Sequence, residues 1–201
     1  TFSGKPLNQV LPPQMLEDFY NFEGNTQALR LVTKLHFLVD VNGMNLTKAL
    51  LGTIIKYPGS SLEIDKKGHI KNHKMGYFYG DKETYEEVQA SLGTHGNRHP
   101  LAFVLEAADD IAYKTADIED AVKKNCISYH LLVEELKAYG KGIPNAEQQE
   151  VYGKYIRSLE QKYQRAQKRE LQQAEMNAVQ NWCVSVQGWM SNAASKCFVD
   201  N

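Results

Sequence analysis

Apolar residues recur at helical spacing along most of the 201-residue chain. In the segment 100–123, a rotation of about 100° per residue places Ala108 at the centre of an apolar stripe. Asp109 then borders the stripe at about 100°, and Asp110 points away from it. The remaining members of the stripe fall within roughly 80° of Ala108: Leu101, Val104, Leu105, Ile111, Ala112, Thr115, Ile118 and Val122. We expect this stripe to be buried.

The same periodicity predicts helices along the rest of the chain. Asn25 and Asn45 are candidate N-caps of the second and third helices, and Pro100 suits the first turn of the central helix. The segment 58–82 resembles a loop with two possible short strands, 62–64 and 77–79. The expected fold class is therefore all-α, with at most a small β-hairpin near 60–80. The other predicted helices are 14–22, 26–41, a third that ends at Tyr57-Pro58, 83–92, 127–139, 145–175 and 177–198.

Composition and charge narrow the classes of function. The chain is 42% apolar, which is enough for a substantial core. Its net charge is −1, so no basic excess points to nucleic acid or a membrane as an obligate partner. No apolar run reaches the roughly 18 residues of a membrane-spanning helix. The first residues lack the layout of a signal peptide.

The cysteines and the chain ends lead to two further expectations. If Cys183 and Cys197 share a helix, they lie about 21 Å apart, whereas a disulfide needs Cα atoms within about 7 Å. With Cys126 they favour free thiols and a cytoplasmic location. The chain starts at Thr1 and stops at Asn201 within an apolar helical pattern. We therefore expect an internal fragment of a longer protein.

Asp109, Tyr113 and Asp117 follow one another at i, i+4 and i+8, so they project from one side of the central helix. A carboxylate at the edge of a buried face is costly unless a metal ion or hydrogen-bond donor compensates it. The simpler interpretation, an amphipathic helix with its acids in solvent, stays open on the pattern alone.

Three sequence blocks resemble, in order, the HD-domain deoxynucleoside triphosphate (dNTP) triphosphohydrolases, the bacterial dGTPase family. They are FEGNTQALRLVTKL at 22–35, LTKALLGTIIKYP at 46–58, and EAADDIAY at 106–113 continuing to TADIEDA. AASKCFVDN at 193–201 is similar to a later helix of the family. The resemblance implies a partial HD-type domain over 1–201. Residues 1–140 would form the core and substrate-pocket helices. Residues 145–201 would form a long helical arm and the C-terminal helix.

The resemblance implies metal-dependent hydrolysis of a dNTP, with dGTP favoured, to deoxynucleoside and triphosphate. The cofactor would be a divalent ion, Mn²⁺ or Mg²⁺, with Asp109 as one of its ligands. The family's other ligands include an adjacent His-Asp pair, and no such pair occurs in this sequence. We therefore expect this fragment to contain no catalytic residue, not to bind the ion alone, and to be inactive by itself.

The resemblance also assigns substrate contacts. Tyr113 would pack against the deoxyribose and leave no room for a 2′-hydroxyl, and Asp117 would accept the 3′-hydroxyl. Asn25, Lys56 and Tyr57 would contact the triphosphate. A cation such as Lys56 is also stable at a helix C-terminus without any ligand, so that interpretation stays open.

Partners and rival functions follow from the same resemblance. The full-length protein is expected to form a homo-oligomer, a hexamer or tetramer, with no membrane partner. Single-stranded nucleic acid is a possible regulator at Lys162, Arg165, Lys168 and Arg169, although interleaved acids favour a solvated helical arm. Two alternatives remain open. One is an HD-type phosphohydrolase acting on a different nucleotide, and the other is a non-catalytic nucleotide sensor or assembly subunit.

Overall fold

The computed structural model describes residues 3–36 and 43–200, and its regular structure there is helical. Within those ranges no β-strand forms, and no helix has both the length and the apolar character needed to cross a bilayer. The predicted all-α class is confirmed. The α-helices are α1 Pro13–Tyr20, α2 Gly24–Arg30, α3 Lys48–Ile54, α4 Lys82–Leu92, α5 Pro100–Lys123, α6 Tyr129–Lys141, α7 Ala146–Lys168 and α8 Ala174–Asp200.

The segment 58–82 forms short 3₁₀ turns in place of the two possible strands. There are three such turns. Ser61–Glu63 occupies most of the 62–64 region, Ile70–Asn72 follows it, and Tyr79–Asp81 begins where 77–79 ends. The Glu63 carboxylate accepts hydrogen bonds from the backbone N–H and the hydroxyl of Ser60, both at 2.7 Å. Because local side chains take up these backbone groups, the segment turns without a strand partner.

The two predicted asparagine caps are wrong. Glu23 is the N-cap of α2 and accepts from the Asn25 N–H at 3.4 Å, so the helix begins before Asn25. Thr47 is the N-cap of α3. Asn45 has φ of +51°, outside the extended conformation that an N-cap requires. Helix α2 continues as a π-turn over Leu31–Leu35. The last part of the predicted helix 26–41 lies outside the described residues.

The chain divides into two compact units, Thr1–Glu106 and Ala107–Asn201. Each has its own core. In the first, Tyr77 and Tyr85 stack with ring centroids 4.0 Å apart, beside Leu29, Leu51, Ile55 and Val88. The core of the second comprises Val122, Tyr129, Leu132, Val133, Leu159, Ala178, Val179, Trp182 and Cys183. The predicted partition into 1–140 and 145–201 stays a prediction.

The stripe predicted on α5 is only partly buried. Leu101, Val104 and Leu105 are exposed, as are Ala108 and Ala112 at and near its predicted centre. The described residues do not cover this side of the helix. The buried positions are Ala102, Ile111, Thr115 and Val122, of which Ala102 lay outside the stripe. The expectation that Asp109 borders a buried face is therefore wrong, since Leu105, Ala108 and Ala112, its neighbours on the predicted stripe, are exposed.

The three cysteines are free thiols, as predicted. Cys183 is buried in the core of the second unit, and its Sγ lies 3.6 Å from the carbonyl oxygen of Thr115. Burial, with a smaller contribution from the charge of Glu119, raises the pKa of the Cys183 thiol to about 11. This thiol is therefore protonated at neutral pH and acts as a small apolar side chain.

Candidate functional site

Tyr57 lies at the centre of a group of cations in the first unit. The chain leaves α3 at Ile54, and Pro58 prevents the helix from continuing. The ring of Tyr57 is buried, and its centroid lies 5.9 Å from Lys56 Nζ, 5.8 Å from Lys74 Nζ and 5.5 Å from Arg98 Cζ. These distances fall within the range of cation–π attraction, so the ring stabilises three neighbouring cations.

A close backbone approach brings the segment that carries Lys74 against Tyr57. The N–H of Gly76 donates to the carbonyl oxygen of Gly59 at 2.8 Å, and the Thr26 hydroxyl donates to that of Met75 at 2.9 Å. A Cβ atom at position 76 would overlap the carbonyl oxygen of Tyr57. Only glycine therefore fits at this position.

Gly76→Ala is expected to destabilise the protein by about 1–3 kcal/mol, because the backbone at Tyr57 must move to admit the new methyl group. The measurement is urea or thermal unfolding. Gly24→Ala, in the same unit, is the matched control, since a Cβ there meets nothing within 4 Å. Equal stability of the two variants would show that the close approach at Tyr57 is not required.

Glu106 joins two of the three cations. Its Oε1 lies 3.1 Å from Lys56 Nζ, and its Oε2 accepts from Arg98 Nη1 at 2.8 Å. Glu106 stands in the second turn of α5, eight residues after Arg98, so the start of this helix carries it to both cations. One carboxylate thus fixes the separation of two positive charges.

Glu23 joins the third cation to Asn25. Its Oε2 lies 2.9 Å from Lys74 Nζ, and its Oε1 accepts from Asn25 Nδ2 at 2.7 Å. Burial acts to raise the pKa of the Glu23 carboxyl, but the hydrogen bonds from Lys74 and Asn25 outweigh it and hold this pKa below its ordinary value. Glu23 is therefore ionised at neutral pH. Asn25, Lys56 and Tyr57, predicted from two separate blocks, belong to one network.

We call Glu23, Asn25, Lys56, Tyr57, Lys74, Arg98 and Glu106 the Tyr57 cluster. Three cations oppose two carboxylates, which leaves one net positive charge. The side chain of Lys74 is 47% exposed and that of Lys56 23%, so both are partly accessible to solvent. Ammonium groups with a phenol and an amide as neutral donors are suited to phosphate oxygens. The arrangement therefore favours binding of a polyanion.

Asp109, Tyr113 and Asp117 belong to the second unit and are all exposed, with Tyr113 at 66%. Other acids of α5 pair with lysines one turn later: Asp110 lies 3.8 Å from Lys114, and Asp120 lies 3.0 Å from Lys124. Asp109 and Asp117 form no salt bridge with any residue of 3–36 or 43–200. Their oxygens are therefore available to a ligand.

The described residues do not make a complete metal site. Nowhere among them do three His, Cys, Asp or Glu side chains come together in a way that would hold an ion. His69 and His99 instead accept hydrogen bonds from nearby backbone N–H groups. Asp109, the metal ligand predicted from the sequence, would contribute a single carboxylate, whereas catalytic ions usually take about three protein ligands.

Four members of the Tyr57 cluster were missed from the sequence. Glu23 and Glu106 lie inside the blocks that carry the resemblance, but their contacts depend on residues distant in the chain. Arg98 lies two residues before the central helix, and its spacing of eight residues from Glu106 was the available signal. Lys74 stands among other loop lysines and offered no local signal.

Comparison with known proteins identifies relatives of the chain. No family model matches it. A protein of Listeria monocytogenes named deoxyguanosinetriphosphate triphosphohydrolase-like is 42% identical over 202 residues, which is all of this chain and 41% of that protein. The chain matches a region of longer dGTPase-like proteins. The predicted resemblance is confirmed.

Other dGTPase-like relatives match shorter stretches. A probable deoxyguanosinetriphosphate triphosphohydrolase of Pseudomonas aeruginosa is 39% identical over 132 residues, 63% of this chain and 25% of that protein. A deoxyguanosinetriphosphate triphosphohydrolase of Yersinia enterocolitica is 36% identical over 137 residues, 66% of this chain and 26% of that protein. The chain thus spans about two fifths of the Listeria relative's length and less of these two.

Proposed function

We propose that this chain is the part of a longer dNTP triphosphohydrolase that binds the triphosphate and the sugar. The favoured substrate is dGTP, and the products are deoxyguanosine and triphosphate. Relatives named for this activity support the proposal. The observation that carries it is the Tyr57 cluster, in which residues from distant segments make one cationic group of the kind a triphosphate requires.

The cluster would act on the triphosphate. When water attacks the α-phosphorus and the bond to the sugar oxygen breaks, the electron pair of that bond leaves with the sugar oxygen, which takes up a proton, and the phosphorus stays in the triphosphate. Lys56 and Lys74 would neutralise the negative charge of the triphosphate oxygens from fixed positions, and Tyr57 and Asn25 would donate neutral hydrogen bonds. The carboxylates of Glu106 and Glu23 hold the two ammonium groups in place before the substrate arrives. Charges that are already in position stabilise the transition state more strongly, because they do not have to reorganise during the reaction.

The exposed side of α5 would read the sugar. Tyr113 would cover the deoxyribose and exclude a 2′-hydroxyl, and Asp117, one turn later, would accept the 3′-hydroxyl hydrogen bond. Asp117 forms no salt bridge with the described residues, which fits this role. Its carboxylate does not have to leave a cation before it binds the 3′-hydroxyl. Discrimination by crowding and by one polar contact is physically sufficient for such a choice.

The proposal includes a divalent ion, Mn²⁺ or Mg²⁺, to which this chain would contribute Asp109 alone. Such an ion polarises a phosphoryl oxygen and activates water when bound. The described residues do not complete a ligand set, and no adjacent His-Asp pair occurs in the sequence. We therefore propose that the other ligands and the general acid and base belong to the rest of the full-length protein.

Assembly and regulation are further parts of the proposal. A homo-oligomer, hexamer or tetramer, remains the predicted state of the full-length protein. Lys162, Arg165 and Arg169 line one shallow groove beside α7, which is where single-stranded nucleic acid would bind if it regulates the enzyme.

The decisive experiment is product analysis with the full-length protein, dGTP and Mn²⁺ or Mg²⁺. Release of triphosphate and deoxyguanosine in equal amounts is expected. Release of pyrophosphate or monophosphate would identify a phosphohydrolase of another specificity. Nucleotide binding without any product would identify a sensor or assembly subunit.

The 201-residue chain by itself is expected to show no measurable dGTP hydrolysis. The reason is the single carboxylate at Asp109, which provides no complete metal site among the described residues. The assay is triphosphate release by the purified chain with Mn²⁺ or Mg²⁺, beside the full-length protein as the positive control. Hydrolysis by the chain alone would mean that all catalytic groups lie within it.

A further inference from the structure

Arg98 is the most enclosed cation of the Tyr57 cluster. Its side chain is 6% exposed and lies between two aromatic rings, with Cζ 5.5 Å from the centroid of Tyr57 and 5.4 Å from that of Phe103. Only Nη1 has a hydrogen-bond partner, Glu106, while Nε and Nη2 are buried without one among the described residues. Leaving two buried donors unpaired is unfavourable, so this placement opposes stability.

The unfavourable burial of Arg98 is accompanied by contacts that order the Tyr57 cluster. Arg98 holds one oxygen of Glu106, and the other oxygen lies 3.1 Å from Lys56 Nζ. The flat guanidinium also supports one face of the Tyr57 ring. A planar fork can satisfy a carboxylate and stack on a ring at the same time, and an ammonium group cannot do both.

We propose that Arg98 is a positioning residue for triphosphate binding, which acts through Glu106 on the ammonium group of Lys56. This inference rests on the proposed function and adds to it a residue that orients the binding groups without contacting the substrate. Arg98 itself is too enclosed to meet the substrate in this arrangement, whereas Lys56 retains exposed surface.

The experiment is a double-mutant cycle in the full-length protein. The variants are Arg98→Lys, Lys56→Ala and the double variant, and the readouts are the Kd for inorganic tripolyphosphate and the KM and kcat for dGTP. Arg98→Lys is expected to raise Kd about tenfold when Lys56 is present and less than about twofold in the Lys56→Ala background. KM should rise with Kd. Equal losses in both backgrounds, or no loss at all, would overturn the proposal.

Arg30→Lys is the matched control. Arg30 also pairs with a carboxylate, that of Asp81, at 3.2 Å, and it lies over an aromatic ring, Phe78, at 5.8 Å. None of these residues belongs to the Tyr57 cluster. The Kd of the Arg30→Lys variant for tripolyphosphate should stay within about twofold of the wild-type value. A loss as large as that of Arg98→Lys would show a general effect of replacing a stacked arginine and would contradict a specific role.

Glu106→Gln separates positioning from simple charge and serves if Arg98→Lys fails to fold. This change removes a negative charge beside an anion site, so electrostatics alone predicts tighter tripolyphosphate binding. Positioning predicts the opposite, a Kd raised by about threefold to tenfold, because Lys56 and Arg98 lose their shared carboxylate. Tighter binding would overturn the proposal.

Failure of this inference is distinguishable from failure of the proposed function. If the wild-type protein binds tripolyphosphate but releases none from dGTP, the proposed function fails, and the role of Arg98 is decided by the Kd values. If it releases triphosphate from dGTP but binds no free tripolyphosphate, the proposed function stands and the role of Arg98 is overturned.

Discussion

Asp109→Ala in the full-length protein lowers kcat for dGTP by at least about a hundredfold, the loss typical of removing one charge-stabilising group from an active site. This is the expected result if Asp109 contributes a metal ligand. The carboxylate is exposed and has no salt-bridge partner among the described residues, so a purely structural role is not expected. Activity and bound Mn²⁺ should fall together.

Asp110→Ala is the matched control, because it removes a neighbouring exposed acid of the same helix. Asp110 diverges from Asp109 by about 100° around the axis and lies 3.8 Å from Lys114. Its loss should change kcat by less than about twofold, since an exposed pair contributes little. If Asp110→Ala loses the ion while Asp109→Ala retains it, the assignment of the metal-binding side is wrong.

Tyr113→Ala is expected to narrow the preference for dGTP over GTP. The ring is 66% exposed on α5, so truncation should leave the fold intact while it opens the space that a 2′-hydroxyl requires. The measurement is kcat/KM for both nucleotides with wild type and variant. An unchanged ratio of kcat/KM for dGTP to that for GTP would show that Tyr113 is a surface aromatic residue with no role in sugar selection.

Asp117→Ala provides the contrast, because dGTP and GTP both carry the 3′-hydroxyl that Asp117 would bind. Losing that contact should cost roughly 1–3 kcal/mol in kcat/KM for each nucleotide, a factor of about 5 to 150. The ratio between them should stay constant. A strong shift of the ratio with Asp117→Ala and none with Tyr113→Ala would exchange the two roles.

Local sequence signals predicted the helices well and their ends less well. Pro100 begins α5 as expected, and Asn145 caps α7 by accepting from the N–H of Gln148 at 2.9 Å. Asn25 and Asn45 are equally good caps by residue type, yet Glu23 and Thr47 take those positions. Cap identity depends on the backbone conformation at one residue, which several neighbouring polar residues can satisfy.

The sequence by itself determined the all-α class, the free thiols, the homology to dGTPase-like proteins and the common side of Asp109, Tyr113 and Asp117. Helical periodicity and short motifs are local, so they can be read without a fold. Only the tertiary structure decided which side of α5 is buried and that Glu23, Lys74, Arg98 and Glu106 join the predicted triphosphate contacts. Those outcomes depend on residues up to about fifty positions apart, and charge pairs at such separations follow from packing and not from spacing.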